Sequence, residues 1–144
     1  MALSVRHWLL IIFVFVFDRV SKSLVDAFVI QPISVLSFVE IVFVKNTGIA
    51  FGFLNAFSLQ WLFVFISLVV IIGLALYSKK DSVAVNLYGF SLIIGGALGN
   101  VFDRIFFGYV IDFISIGWWP AFNIADASLT IGVLLLIYSE LRHN

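Results

Sequence analysis

The chain has 144 residues, of which 63% are hydrophobic and 11% charged, and its mean hydropathy is +1.20. A soluble domain of this length needs a far more charged surface, so the composition specifies an integral membrane protein. The formal net charge of +0 points to no nucleic-acid partner, and the absence of cysteine excludes disulfides, thiol nucleophiles and cysteine metal sites. His7 and His143 lie at opposite ends of the sequence, away from the acids, so no metal site is expected.

Four apolar stretches, about 8–25, 59–77, 83–101 and 122–138, can each cross a hydrocarbon core that takes about 20 helical residues. The expectation is a mainly α membrane protein. It has one integral-membrane domain over residues 1–144, with four transmembrane helices and a small extracytoplasmic β-rich segment. Arg6, the Lys79-Lys80 pair and Arg142 fall on one side if all four stretches cross. The positive-inside rule makes that side cytoplasmic, with both termini inside and segments 27–58 and 102–121 outside.

The first stretch opens like a signal peptide, with Arg6 and then an apolar run from Trp8 to Phe17. Asp18, Arg19 and Lys22 stand where small cleavage-site residues belong, so a retained span is expected. Asp18 and Lys22 at i,i+4 can neutralise each other, and Arg19 can reach the interface. Residues 33–44 are rich in β-branched and aromatic residues and suit surface strands, ended by a turn at Lys45-Asn46-Thr47-Gly48.

The third stretch carries Gly95-x-x-x-Gly99, a small-residue face for close helix packing, and ends in Asn100, Asp103 and Arg104. Gly108 allows a turn, and the alternation from Tyr109 to Ile114 puts Asp112 on an extended segment. Trp118 and Trp119 mark the interface. Pro120 precedes the fourth helix, with Asp126 about one turn inside it.

Five of the eight acids, Asp18, Asp26, Asp103, Asp112 and Asp126, lie in or beside these stretches. A carboxylate at membrane depth costs roughly 2.5–3.5 kcal/mol, so each needs a partner or a function. Asp18–Lys22, Asn100–Asp103 and Asn123–Asp126 have spacings that share a helical face. Asp112 has no such partner.

A chain folding back between Asp112 and Asp126 brings the two carboxyls together. In a low-dielectric site both cannot ionise; the ionised one takes a proton from water and the protonated one polarises a carbonyl. That hydrolyses an amide without a metal or covalent intermediate, and the titration belongs to the pair. Other readings of the same residues stay open. The pair is structural, held by Asn123, Arg104 and backbone amides. Asp18, Asp103, Asp112 and Asp126 form a proton or ion relay in a small transporter or channel. Ser21 or Ser128 is a nucleophile with Lys22 or Lys45 as base. Or the polar groups only join helices in a noncatalytic assembly factor. The acids cluster at one end, which disfavours transport.

VKNTGIAFGFL (44–54), GGALGNVFDRIFFGYVIDFI (95–114) and FNIADASLTIG (122–132) resemble the signature blocks of the lipoprotein signal peptidase (signal peptidase II) family. FDRVSK (17–22) resembles that family's Asp-x-x-x-Lys block. The four blocks stand in family order and, with the spans between them, cover nearly the whole chain. The resemblance implies an aspartic endopeptidase of the bacterial inner membrane, working without a cofactor near the outer face. It implies cleavage of prolipoproteins before a diacylglyceryl-modified cysteine, with membrane lipids as surroundings and a monomeric state. Asp112 and Asp126 match the catalytic positions. Asn46, Asn100, Arg104 and Asn123 match groove-lining or supporting positions, and Asp18, Lys22 and Asp103 match structural polar positions. Ile49 and Gly52 depart from the small residue and serine common in the family.

Overall fold

A computed structural model describes residues 3–48, 56–80 and 83–143. In chain order the elements are α1 (Val5–Phe28), β1 (Ile33–Leu36), β2 (Val39–Asn46), α2 (Ala56–Tyr77), α3 (Ala84–Phe106), β3 (Val110–Ile116), β4 (Trp119–Phe122) and α4 (Ile124–His143). Within α2, α3 and α4, the segments Gln60–Tyr77, Ala84–Phe106 and Ile124–Arg142 are long and apolar enough to cross a membrane. At 24 residues α1 is as long as these, but Arg6, Asp18, Arg19, Lys22 and Asp26 make it the most charged helix.

The middle position belongs to α3, which packs against α1, α2 and α4. Its glycines explain how. A Cβ on Gly95 would lie 2.9 Å from Val14 Cβ on α1, one on Gly96 would lie 2.5 Å from the Ala125 carbonyl oxygen on α4, and one on Gly99 would lie 2.5 Å from Asp18 Oδ2. The expected small-residue face therefore serves two neighbours. Gly95 and Gly99 admit α1, and Gly96 admits the first turn of α4.

The four strands form one antiparallel sheet in the order β1-β2-β3-β4. β2 and β3 pair through Val44–Asp112, Lys45–Ile111 and Asn46–Val110. Val25 near the end of α1 packs with Ile111 and Phe113 of β3, and Ile41, Phe43 and Ile124 close around them. This apolar contact fixes β3 against the helices and so fixes the depth of Asp112.

Some expected boundaries move. Lys45 and Asn46 belong to β2 rather than to a turn, because both continue the ladder with β3. Asn100, Asp103 and Arg104 lie inside α3, which continues to Phe106, and the reversal falls at Gly108 with φ +78°. Only glycine adopts that backbone without strain. Pro120 sits in β4, an edge strand where a missing N–H is tolerated. Ile49 and Gly52 lie outside the described residues.

Candidate active site

The last helix begins with a reciprocal cap. Asn123 Oδ1 accepts the Asp126 N–H at 2.9 Å, and the Asn123 N–H donates to Asp126 Oδ2 at 3.2 Å. Such a capping box satisfies two amides and holds the acidic side chain back over the helix start. The next free amide, Ala125 N–H, donates to Asp18 Oδ1 at 2.9 Å. A carboxylate from α1 thus completes the N-terminus of α4, where helix amides and their dipole favour negative charge.

Asp112 is buried in the middle of β3, 2% exposed. Its Oδ2 accepts from Asn46 Nδ2 at 2.8 Å and its Oδ1 from Asn123 Nδ2 at 2.7 Å. Asn46 is two residues from Val44, which faces Asp112 across the ladder, so it is the diagonal neighbour on the same face of the sheet. Asn123 is wholly buried and contacts both carboxyls, Asp112 through its amide and Asp126 through its backbone. Burial pushes the Asp112 carboxyl above its ordinary 3.8; the Asn46 bond pulls it down, the Asp126 charge pushes it up, and Asn123 and Lys22 pull it down.

A second asparagine supports Asp126 from α3. Asn100 Nδ2 donates to Asp126 Oδ1 at 2.8 Å, while Asn100 Oδ1 accepts from Lys22 Nζ at 2.9 Å and from Asn123 Nδ2 at 3.2 Å. Lys22 is wholly buried and also lies 2.8 Å from Asp18 Oδ2 and 2.9 Å from Asp103 Oδ2. The expected Asp18–Lys22 pair is present. Asn100 and Asp103 share Lys22 rather than binding each other.

Two expectations for the basic residues are overturned. Arg19 does not run to the interface. It pairs with Asp103 and lies 4.7 Å from the centre of the Phe102 ring, since α3 offers an acid and an aromatic face within its reach. Arg104 is not the partner of neighbouring Asp103, because adjacent residues diverge on a helix. Its guanidinium lies 5.2 Å from the centre of the Phe63 ring on α2 and reaches the Asn100 carbonyl at 3.4 Å.

Asp126 is half-buried and lines two cavities. One, about 320 Å³, is walled by Trp119, Phe122, Ala127, Thr130 and Ile131. The other, about 270 Å³, lies between α2, α3 and α4 and includes Phe63, Asn100, Arg104 and Leu129. One carboxyl therefore meets two largely apolar clefts. Of the nine polar positions singled out in the sequence, Asn46, Asn100, Asp112, Asn123 and Asp126 form one network. Asp18, Lys22 and Asp103 form an ionic cluster behind it, and Arg104 lines the α2-side cleft. Arg19 had been missed as part of that cluster; its three-residue spacing from Lys22 was the available signal.

These features define a class, a helical membrane protein in which a small sheet and a helix start bring two carboxyls under one asparagine. The family model described as signal peptidase (SPase) II matches residues 10–142, and the chain belongs to that family. The lipoprotein signal peptidase of Syntrophomonas wolfei is 40% identical over 137 residues, covering 92% of this chain and 90% of the relative. That of Thermodesulfovibrio yellowstonii is 40% identical over 138 residues, covering 92% of each. A bacterial membrane enzyme solved by the in meso method at 1.9 Å resolution superposes with a TM-score of 0.89 at 35% identity, covering 96% of this chain and 94% of that one.

Proposed function

We propose that Asp112 and Asp126 are the hydrolytic pair of this signal peptidase, which removes signal peptides from prolipoproteins by cleaving before a diacylglyceryl-modified cysteine. The observation that carries this reading is the bridge through Asn123, which holds both carboxyls from one side. The cleft-facing Asp126 and the raised Asp112 suit one ionised and one protonated partner.

In the reaction, the ionised carboxyl takes a proton from water as the water oxygen bonds to the scissile carbonyl carbon. The protonated carboxyl gives its proton to the carbonyl oxygen. The C–N bond then breaks, and the nitrogen leaves with the proton the first carboxyl had received. One hydroxyl of the tetrahedral carbon returns a proton to the second carboxyl, which restores the pair. Asn46, Asn100 and Asn123 orient the carboxyls, and Arg104 beside the cleft offers donors to a peptide carbonyl.

The substrate enters sideways from the bilayer. The Trp119-walled cleft suits lipid chains, each buried methylene contributing roughly 0.8 kcal/mol before entropy costs. α1 acts as the fourth span. Its ionic groups face α3 and α4, while Leu9, Ile12, Phe13, Val16, Phe17 and Val20 form an exposed apolar stripe. Its 24 residues reach about 36 Å at 1.5 Å each, enough for the hydrocarbon core. Both termini lie in the cytoplasm of a bacterial cell, the site faces outward across the inner membrane, and the monomer is active. A Ser-Lys mechanism is disfavoured because Lys22, caged by two carboxylates, has no free lone pair. A relay for transport lacks acids through the membrane depth.

The test is incubation of purified protein with a diacylglyceryl-modified precursor and its unmodified counterpart, with products read by mass. Cleavage of the modified precursor before its cysteine supports the reading. Equal cleavage of both precursors removes the lipid requirement, and cleavage elsewhere removes the assignment.

A further inference from the structure

Lys22 touches neither cleft, yet it decides what Asp126 feels. An ammonium has donors and no acceptor. The end of the Asn100 side chain 2.9 Å from Lys22 Nζ is therefore its carbonyl, which leaves the NH2 group facing Asp126 Oδ1 at 2.8 Å. Turning the amide over would set N–H donors against the ammonium and a carbonyl oxygen against the carboxyl. Asn123 Nδ2, donating to the same Asn100 oxygen at 3.2 Å, reinforces that orientation.

The charge of Lys22 alone does not explain the arrangement. Asp18, Asp103 and Arg19 accompany it, and the four groups are mutually neutral. Asp18 works in parallel, since its Oδ1 holds the Ala125 N–H in the turn that carries Asp126.

We propose that Lys22 is a positioning residue for the hydrolysis, acting through the Asn100 amide to hold the Asp126 carboxyl in its working orientation. The proposal rests on the reading of Asp112 and Asp126 as the reactive pair. It gives the buried ionic cluster a part in turnover as well as in joining helices.

Lys22→Met alone would strand Asp18 and Asp103 in the core. The double variant Asp18→Asn/Lys22→Met removes one charge of each sign and keeps an oxygen for the Ala125 N–H. In the purified full chain, with a diacylglyceryl-modified precursor, its kcat should fall roughly 10–100-fold, as outer-support losses do elsewhere. KM should stay within about twofold, because the contact serves the carboxyl and not the substrate. Asn100→Leu should cause a similar fall alone and add nothing to the double variant, since both act on one amide.

Asn100→Asp tests the same link with the ionic cluster intact. It still accepts from Lys22 but sets a second carboxyl against Asp126, where both cannot ionise, so a shared proton replaces the fixed N–H and kcat should fall. Unchanged kcat in Asn100→Asp, an effect confined to KM, or independent losses at positions 22 and 100 would overturn the proposal. Asp126→Asn separates the two ideas. If it cleaves at the parental rate, the reactive-pair reading fails. If it is inactive while Asn100→Asp keeps full kcat, only the positioning role fails.

Discussion

Asn123 donates from its side-chain nitrogen to Asp112 Oδ1 at 2.7 Å and from its backbone nitrogen to Asp126 Oδ2 at 3.2 Å. One residue thereby sets the orientation of an acid on a strand and an acid on a helix. Asn123→Ala keeps the backbone contact and loses the side-chain one, along with the helix cap. The lost cap costs about 1 kcal/mol of stability. The lost alignment should lower kcat by about 100-fold, since a displacement of roughly 1 Å is enough for that. Steady-state kinetics beside a thermal melt in detergent would separate the two. A kcat loss no larger than the folded fraction explains would remove Asn123 from the site.

Asp112→Asn and Asp126→Asn should each reduce cleavage at least about 100-fold, the lower end of what a positioned acid or base contributes. Each should still insert and fold, because asparagine keeps one of the two accepting oxygens. Combining them should cost little more than either alone, as for residues acting as a unit. Product measured by mass over long incubations checks this. Near-parental turnover in either single variant would rule the pair out.

Much of this arrangement is legible in the residues. The Asp18–Lys22 pair follows from the helical period, and the Gly95 and Gly99 face follows from side-chain size. Asp112 stood out because a carboxyl without a local partner in an apolar stretch is costly. Asn123-x-x-Asp126 was read as two groups on one helical face, whereas α4 starts at Ile124 and makes the same spacing a capping box. A uniformly apolar helix gives no periodic signal for where it begins, so spacing alone could not choose. The partners of Asp103 were hidden for another reason. Arg19 lies 84 residues away in sequence, and only the approach of α1 to α3 across glycines joins them.

Gly96→Ala should separate packing from chemistry. The new methyl would sit 2.5 Å from the Ala125 carbonyl oxygen, which is backbone in the first turn of α4 and cannot rotate away. Overpacking of this kind costs about 1–3 kcal/mol. The shift of α4 would also carry Asp126 away from Asn100, so kcat should fall with Tm. Gly73→Ala on α2 is the control, since nothing lies within 4 Å of its added carbon. It should gain slightly through helix propensity. Equal Tm values for the two variants would contradict the close contact of α3 with α4.

The raised Asp112 carboxyl makes a signed prediction about stability against pH. Its folded-state value lies above the ordinary 3.8, mainly through burial. The folded state therefore binds this proton more tightly than the unfolded chain does. The resulting stabilisation is fully present below about pH 4 and is lost as pH rises through the raised value. Asp112→Asn removes the titration, so its stability relative to the parent should improve as pH climbs from 4 toward neutrality. Any constant cost of the substitution cancels in that slope. Parallel melts of parent and variant at several pH values in one detergent would measure it. A relative stability that worsens with rising pH would mean Asp112 is held as a stabilised carboxylate, which would leave the pair without its proton donor at that position.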